Sequence, residues 1–213
     1  MEIISEQVRH YLDDLHHVSD PVLDEMESMA AVRSFPIVGR HVGRILEIAA
    51  RLLQARNVLE LGSGFGYSAY WIAKGMPAGG RLTLTERNPD NVAAGLKFLS
   101  RGAPPSVEIR YRTQDALDVL LESDGALDMV FCDIDKIQYP RVIDPAARRL
   151  RTGGLLLVDN TLWSGRVAEK DVDDTTHAIQ VFNRVLHRDP RFRSTILPVR
   201  DGVALAIRMS DEG

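Results

Sequence analysis

The stretch Val158-Asp159-Asn160-Thr161-Leu162-Trp163-Ser164-Gly165-Arg166-Val167 sets a carboxylate beside an amide where an apolar run ends. Oxygen donors presented at a strand end are what a small hard cation such as magnesium takes as ligands. Upstream, Met129-Val130-Phe131-Cys132 runs into Asp133-Ile134-Asp135-Lys136, so two strand ends could bring oxygen ligands and an amine to one spot. The pattern predicts a metal-assisted enzyme. Taken singly, Asp159-Asn160 is also compatible with a turn whose side chains cap the next segment, and Lys136 with a solvated lysine at a helix start.

A second cluster is Glu60-Leu61-Gly62-Ser63-Gly64-Phe65-Gly66-Tyr67-Ser68, which follows an apolar strand and opens a helix. Gly62, Gly64 and Gly66 leave main-chain N–H groups open to a ligand with no β-carbon in the way. The G-x-G-x-G spacing is one residue short of the dinucleotide fingerprint, which weakens a nicotinamide reading. Thr85-Glu86 ends the next strand, where a carboxylate accepts hydrogen bonds from ribose hydroxyls. Glu60 is expected as an acceptor near a cofactor ammonium, or else in a surface salt bridge. Thr113-Gln114-Asp115-Ala116 offers polar groups to an adenine edge, with a helix N-cap by Thr113 or Asp115 as the alternative. Tyr139 and Trp163 are candidates for an acceptor pocket or for the edge of the core. The histidines show no metal spacing, and Cys132 reads as a core thiol.

The elements that carry these groups follow from periodicity. Two helices are expected between Ile3 and Met29, the second capped by Ser19-Asp20-Pro21, and a third over about Val38 to Leu53. Strands are expected at Asn57 to Leu61, Arg81 to Thr85, Val107 to Arg112, Leu127 to Cys132 and Gly154 to Val158. Helices at Tyr67 to Lys74, Asn88 to Arg101, Ala116 to Leu121 and Pro140 to Leu150 alternate with them, and another spans Thr175 to His187. The chain then changes to Ser194 to Val199, Arg200-Asp201-Gly202 and Val203 to Met209, a β-hairpin with an Asp-Gly turn. This is an α/β, doubly wound, Rossmann-like fold: a mostly parallel seven-stranded sheet closed by a C-terminal antiparallel hairpin. One domain over residues 1–213 is expected, with N-terminal helices over 1–35 and the α/β core over 36–213.

Composition narrows the partners. The 26 basic and 30 acidic residues give a net charge of −4 with no long basic run, which argues against nucleic acid. Hydrophobic residues make up 45% of the 213, enough for a sizeable core, yet no apolar run approaches the roughly 20 residues a membrane span needs. A single cysteine and a charged, amphipathic start without a signal-peptide core point to the cytoplasm.

Together, in order, these segments resemble the class I S-adenosylmethionine-dependent methyltransferases, specifically a bacterial-type member of the cation-dependent O-methyltransferases acting on caffeoyl-CoA and catechol. The resemblance runs from about Ser34 onward through Val58-Leu59-Glu60-Leu61-Gly62 with Gly66-Tyr67-Ser68, Phe131 to Lys136 with Tyr139, and Gly153-Gly154. It continues through Asp159 to Val167, Asp189-Pro190-Arg191-Phe192 and Leu197 to Gly202. It implies Asp133, Asp159 and Asn160 as metal ligands, Lys136 as the catalytic amine beside Asp133, and Glu86 as the ribose carboxylate. It also implies Ser68 against the methionine carboxylate, Gln114, Asp115 and Ala116 around adenine, and Asp135 near the cofactor or metal shell.

By the same likeness the cofactors are S-adenosylmethionine and a divalent cation, usually magnesium, the acceptor is an aromatic vicinal diol, and a homodimer is frequent. Two departures stand out. Pro36, within Phe35-Pro36-Ile37-Val38-Gly39-Arg40, falls where a methionine is expected, and Gln180 stands where many relatives carry arginine. A nucleotide-dependent oxidoreductase on the same scaffold and a catalytically silent binding protein remain as alternatives.

Overall fold

The computed structural model describes residues 5–15, 19–123 and 125–210. Its elements are α1 (Glu6–Leu15), α2 (Pro21–Arg33), α3 (Gly39–Leu53), β1 (Asn57–Leu61), α4 (Tyr67–Gly75), β2 (Arg81–Thr85), α5 (Pro89–Gly102), β3 (Glu108–Arg112), α6 (Ala116–Glu122), β4 (Leu127–Cys132), α7 (Ile143–Arg149), β5 (Leu150–Val158), α8 (Asp174–Arg188), β6 (Phe192–Leu197) and β7 (Val203–Arg208). Lys136–Arg141 and Trp163–Ala168 form 3-10 turns. The paired histidines His16 and His17 lie outside the described residues.

The strands form one seven-stranded sheet in the order β3-β2-β1-β4-β5-β7-β6. The pairs among β1 to β5 are parallel, while β7 runs antiparallel to both β5 and β6. The hairpin thus slots its second strand between β5 and β6, and β6 closes the sheet.

Strand periodicity divides the core. Val58, Met129, Phe131 and Leu157 face α2, α3, α4 and α5 across residues such as Leu46, Trp71 and Phe98. Leu59, Leu61, Val130, Cys132, Leu156 and Val158 face the opposite layer with Leu117, Tyr139, Ile143 and Phe182. Near-continuous apolar strands are what a sheet covered on both faces requires. Local chemistry starts the helices: the Asp20 carboxylate accepts from Val22 N at 3.1 Å ahead of Pro21, and Asp173 accepts from Thr176 N at 2.8 Å to open α8.

Among the boundaries that differ from the sequence expectation, three have a clear physical reason. The helix expected over Pro140 to Leu150 is replaced by the 3-10 turn and a shorter α7, because Pro140 has no N–H to continue an α-helical ladder. Leu150 already pairs with Leu127, and the register then shifts before Met129 pairs with Leu155, with Gly153 at φ +77 in the shifted stretch. β6 begins at Phe192 rather than Ser194 and stops before Pro198, which cannot donate to the ladder. Among the described residues no helix is long and apolar enough to cross a membrane.

Candidate active site at the carboxyl edge of the sheet

Register alone assembles the site. Leu61 of β1 pairs with Thr85 of β2 and with Cys132 of β4, and Cys132 pairs with Val158 of β5. The next residues on those strands are Gly62, Glu86, Asp133 and Asp159, so four positions distant in sequence stand in a row along one edge. Main-chain bonds carry the ladder one step further: Asp133 N donates to Leu61 O at 2.9 Å and Asp159 N to Cys132 O at 3.0 Å. In an open α/β sheet, the carboxyl ends of the strands are where ligands bind.

Above this row lies a cleft. One compartment of about 220 Å³ is lined by Pro36, Gly62, Gly64, Ser68, Glu86, Asp133 and Lys136, among others. An adjoining one of about 170 Å³ shares Gly62 and Glu86 and adds Gln114, Asp115, Ala116 and Asp135. Most of the residues expected around a cofactor therefore come together. The Asp115 carboxylate caps α6 through Leu117 N at 2.9 Å, Asp135 accepts from Ile137 N at 3.2 Å, and the Gln114 side-chain oxygen accepts from Arg112 Nε at 2.7 Å.

The glycine turn is built by close approach. Gly62 has φ +82, and a β-carbon there would collide with the Asp133 carbonyl oxygen of the neighbouring strand end. Its N–H donates to Thr85 Oγ1 at 2.9 Å, and that hydroxyl in turn donates to Glu60 O at 3.2 Å, clipping β1 to β2 below the cleft. Thr85 is a residue that sequence reasoning took only as a strand former; its type gives no other signal. Gly66, φ +85, leaves room for Leu99 and the Tyr111 hydroxyl instead of facing the cleft.

Glu60 sits behind the wall that Ser68 helps to line. Glu60 is fully buried, which removes the surface salt-bridge alternative, and the Ser68 hydroxyl donates to its Oε1 in a short hydrogen bond while Oε2 has no partner. Burial above all, with the Asp133 charge adding to it, pushes the Glu60 carboxyl up to about 8 from 4.5. A carboxyl whose folded-state value is raised holds a proton that the unfolded chain releases, so its stabilising contribution is complete below about 4.5 and is lost as pH rises through about 8. Glu60→Gln keeps the shape without the charge. Its unfolding free energy, from denaturant titrations at each pH, is expected to gain on wild type progressively from pH 5 to pH 8, by on the order of 3 kcal/mol across that window; parallel curves would show that Glu60 is ionised in the fold throughout.

On the other side of the row, Lys136 Nζ donates to Asp133 Oδ1 at 2.7 Å and stands 5.3 Å from the centre of the Tyr139 ring. Asp159 is only 4% exposed, and burial first, then the Asp133 charge, pushes its carboxyl up to about 7. A buried carboxylate on Asp159 facing the charge of Asp133 at the adjacent strand end, beside a neutral amide on Asn160, fits a hard divalent cation, which would offset that charge. Among the described residues no cluster of three His, Cys, Asp or Glu side chains exists, so such a site rests on two carboxylates and one amide, as magnesium sites that keep several waters do. Asn160 has φ +56, a backbone conformation asparagine tolerates better than most residues.

Of the two readings open for Tyr139, the structure shows the core one: it has no exposed surface, packs its ring on Phe182 at 5.5 Å, and donates its hydroxyl to Asp159 O at 2.8 Å. It braces the end of β5 from beneath. Trp163 is half-buried, with φ +47 and an indole Nε1 lacking a hydrogen-bond partner, in a turn that periodicity did not reveal. Gln180 Nε2 holds that turn through Val167 O and Glu169 O, each at 3.0 Å. The segment carrying the Pro36 departure does wall the cleft, through Phe35, Pro36, Ile37 and Val38. Cys132 is the buried core thiol expected of it, its ionisation pushed up to about 12 by burial.

Known proteins share this arrangement. The chain is 34% identical over 216 residues to a catechol O-methyltransferase of Niastella koreensis, with 96% of this chain and 97% of that one aligned. It is also 34% identical to a caffeoyl-CoA O-methyltransferase of Petroselinum crispum, over 79% of this chain and 75% of the other. TomG from Streptomyces achromogenes, an O-methyltransferase involved in tomaymycin synthesis and crystallised with S-adenosylmethionine, superimposes with a TM-score of 0.84 at 28% identity, covering 97% of this chain and 100% of TomG. A family profile described as O-methyltransferase matches residues 13–209, nearly the whole length over which the sheet and its edge are built, and the chain belongs to that O-methyltransferase family.

Proposed function

We propose that this enzyme transfers the methyl group of S-adenosylmethionine to one oxygen of an aromatic vicinal diol held against a divalent cation, most simply magnesium. The observation that carries the reading is the Asp133, Asp159 and Asn160 set standing in the same row as Gly62 and Glu86 of the cleft. The sulfonium supplies an electrophilic methyl group. The cation, when bound, supplies a Lewis acid that lowers a hydroxyl pKa and fixes its orientation.

The chain's own residues do the rest. Glu86 accepts from ribose hydroxyls, and Gln114, Asp115 and Ala116 border the base. Lys136, whose Nζ donates to Asp133 Oδ1 at 2.7 Å, would take the proton of the attacking hydroxyl onto Nζ as the free amine and release it to solvent. Phe35 and Pro36 cover the cleft from the α3 side and exclude water. With no covalent enzyme intermediate required, acceleration comes mainly from holding donor and acceptor in line.

The test is methyl transfer from S-adenosylmethionine to a panel of diphenols, with magnesium and with excess chelator. Product that forms with magnesium and disappears with chelator is expected. Undiminished product in chelator would overturn the cation's role, and cofactor binding by calorimetry without product on any vicinal diphenol would overturn the acceptor class.

A further inference from the structure

Arg200 lies in the loop between β6 and β7, exposed, with its backbone in the left-handed region at φ +52. Glycine adopts that conformation freely and arginine does not. A β-carbon on Gly39, itself at φ +72, would overlap the Arg200 guanidinium, so the side chain lies directly against the first residue of α3. Gly39 immediately follows Ile37 and Val38, which wall the cleft together with Asp133 and Lys136.

The same loop is fastened to the strand end that carries Asp159 and Asn160. Thr161 N donates to Gly202 O at 3.0 Å and Leu162 N to Asp201 O at 2.8 Å, and the Asp201 carboxylate accepts from Ser164 N. The guanidinium therefore stands between the ligand strand and the segment that covers the cleft.

The cations of the cleft and of the two segments flanking it are committed: Arg40 donates to Glu27 Oε1 at 2.8 Å, Lys136 to Asp133 at 2.7 Å, and Arg166 to Asp173 at 2.7 Å. Among the described residues Arg200 has no ion pair and no hydrogen bond. A guanidinium presents paired N–H groups in a plane that matches the two oxygens of a carboxylate. The Arg200 guanidinium is thus available to a carboxylate brought in by a ligand.

We propose that Arg200 determines acceptor specificity by binding the carboxylate of an acidic aromatic diol whose hydroxyls face Asp133, Asp159 and Asn160. This rests on the diol-methylating reading above. The acceptor class is then a dihydroxyaryl carboxylic acid in preference to a neutral catechol.

The test compares 3,4-dihydroxybenzoate and 3-(3,4-dihydroxyphenyl)propenoate with their methyl esters, in wild type, Arg200→Gly and Arg200→Lys. Glycine suits the left-handed backbone, so Arg200→Gly is expected to fold. The acid-to-ester ratio of kcat/KM should fall about tenfold in Arg200→Gly, mostly through KM of the acid, with Arg200→Lys intermediate. An unchanged ratio in Arg200→Gly overturns the inference. Should wild type methylate neither acids nor esters, the diol reading fails separately, and calorimetry of the acids in the presence of S-adenosylmethionine decides. Binding weakened about tenfold in Arg200→Gly upholds the arginine's role, whereas equal binding, or none to wild type, overturns it.

Discussion

Asp159→Ala is expected to lower magnesium-dependent methyl transfer by at least about a hundredfold while leaving the fold intact. The loss follows from removing one of the two carboxylates in the proposed donor set, which has only one further protein oxygen. The fold survives because the strand end is held by main-chain atoms: Asp159 N donates to Cys132 O at 3.0 Å and the Tyr139 hydroxyl donates to Asp159 O at 2.8 Å. Removing the side chain also relieves the repulsion that burial and Asp133 impose on it. Melting temperature without metal should therefore hold or rise. Turnover close to wild type in saturating magnesium would refute the ligand assignment, and a fall of many degrees in melting temperature would show that Asp159 is structural instead.

Gly62→Ala is expected to cost about 2–5 kcal/mol of stability and to weaken cofactor binding strongly. Two penalties combine. At φ +82 an alanine is strained, and its β-carbon would meet the Asp133 carbonyl oxygen, a main-chain atom held in the ladder by its neighbours. Relief requires β1 and β4 to part at the point where the glycine turn and the carboxylate row meet. Gly125→Ala isolates the first penalty, because its φ of +71 is similar while nothing lies within 4 Å of the added carbon. Chemical denaturation of both variants, with titration of S-adenosylmethionine into each, separates strain from collision. Equal losses in the two would refute the close approach of β1 and β4 at Gly62.

The oxidoreductase alternative does not survive the family assignment, and the sequence already leaned away from it through the short glycine spacing and the Asp159-Asn160 pair. Its legibility had a physical basis. Strand and helix periods, the Asp20-Pro21 cap and the Asp201-Gly202 turn are local signals, written over a few adjacent residues. They carry the order of elements, and with it the doubly wound sheet and the location of polar groups at strand ends. Boundaries failed where a local rule met a tertiary one: Leu150 is helix-compatible by its neighbours, yet Leu127 across the sheet claims it as a strand residue.

What the chain determined by itself was which residues are available for chemistry and on which strand ends they ride. Only the tertiary structure decided which of them meet, because pairing register and burial depend on contacts between residues far apart in sequence. Gly62 alongside Asp133, Glu60 sealed beneath Ser68, Tyr139 turned inward to hold Asp159, and Arg200 laid against Gly39 are all facts of that kind. Periodicity tells that a side chain faces the core or the solvent; it holds no information about which distant neighbour will be waiting there.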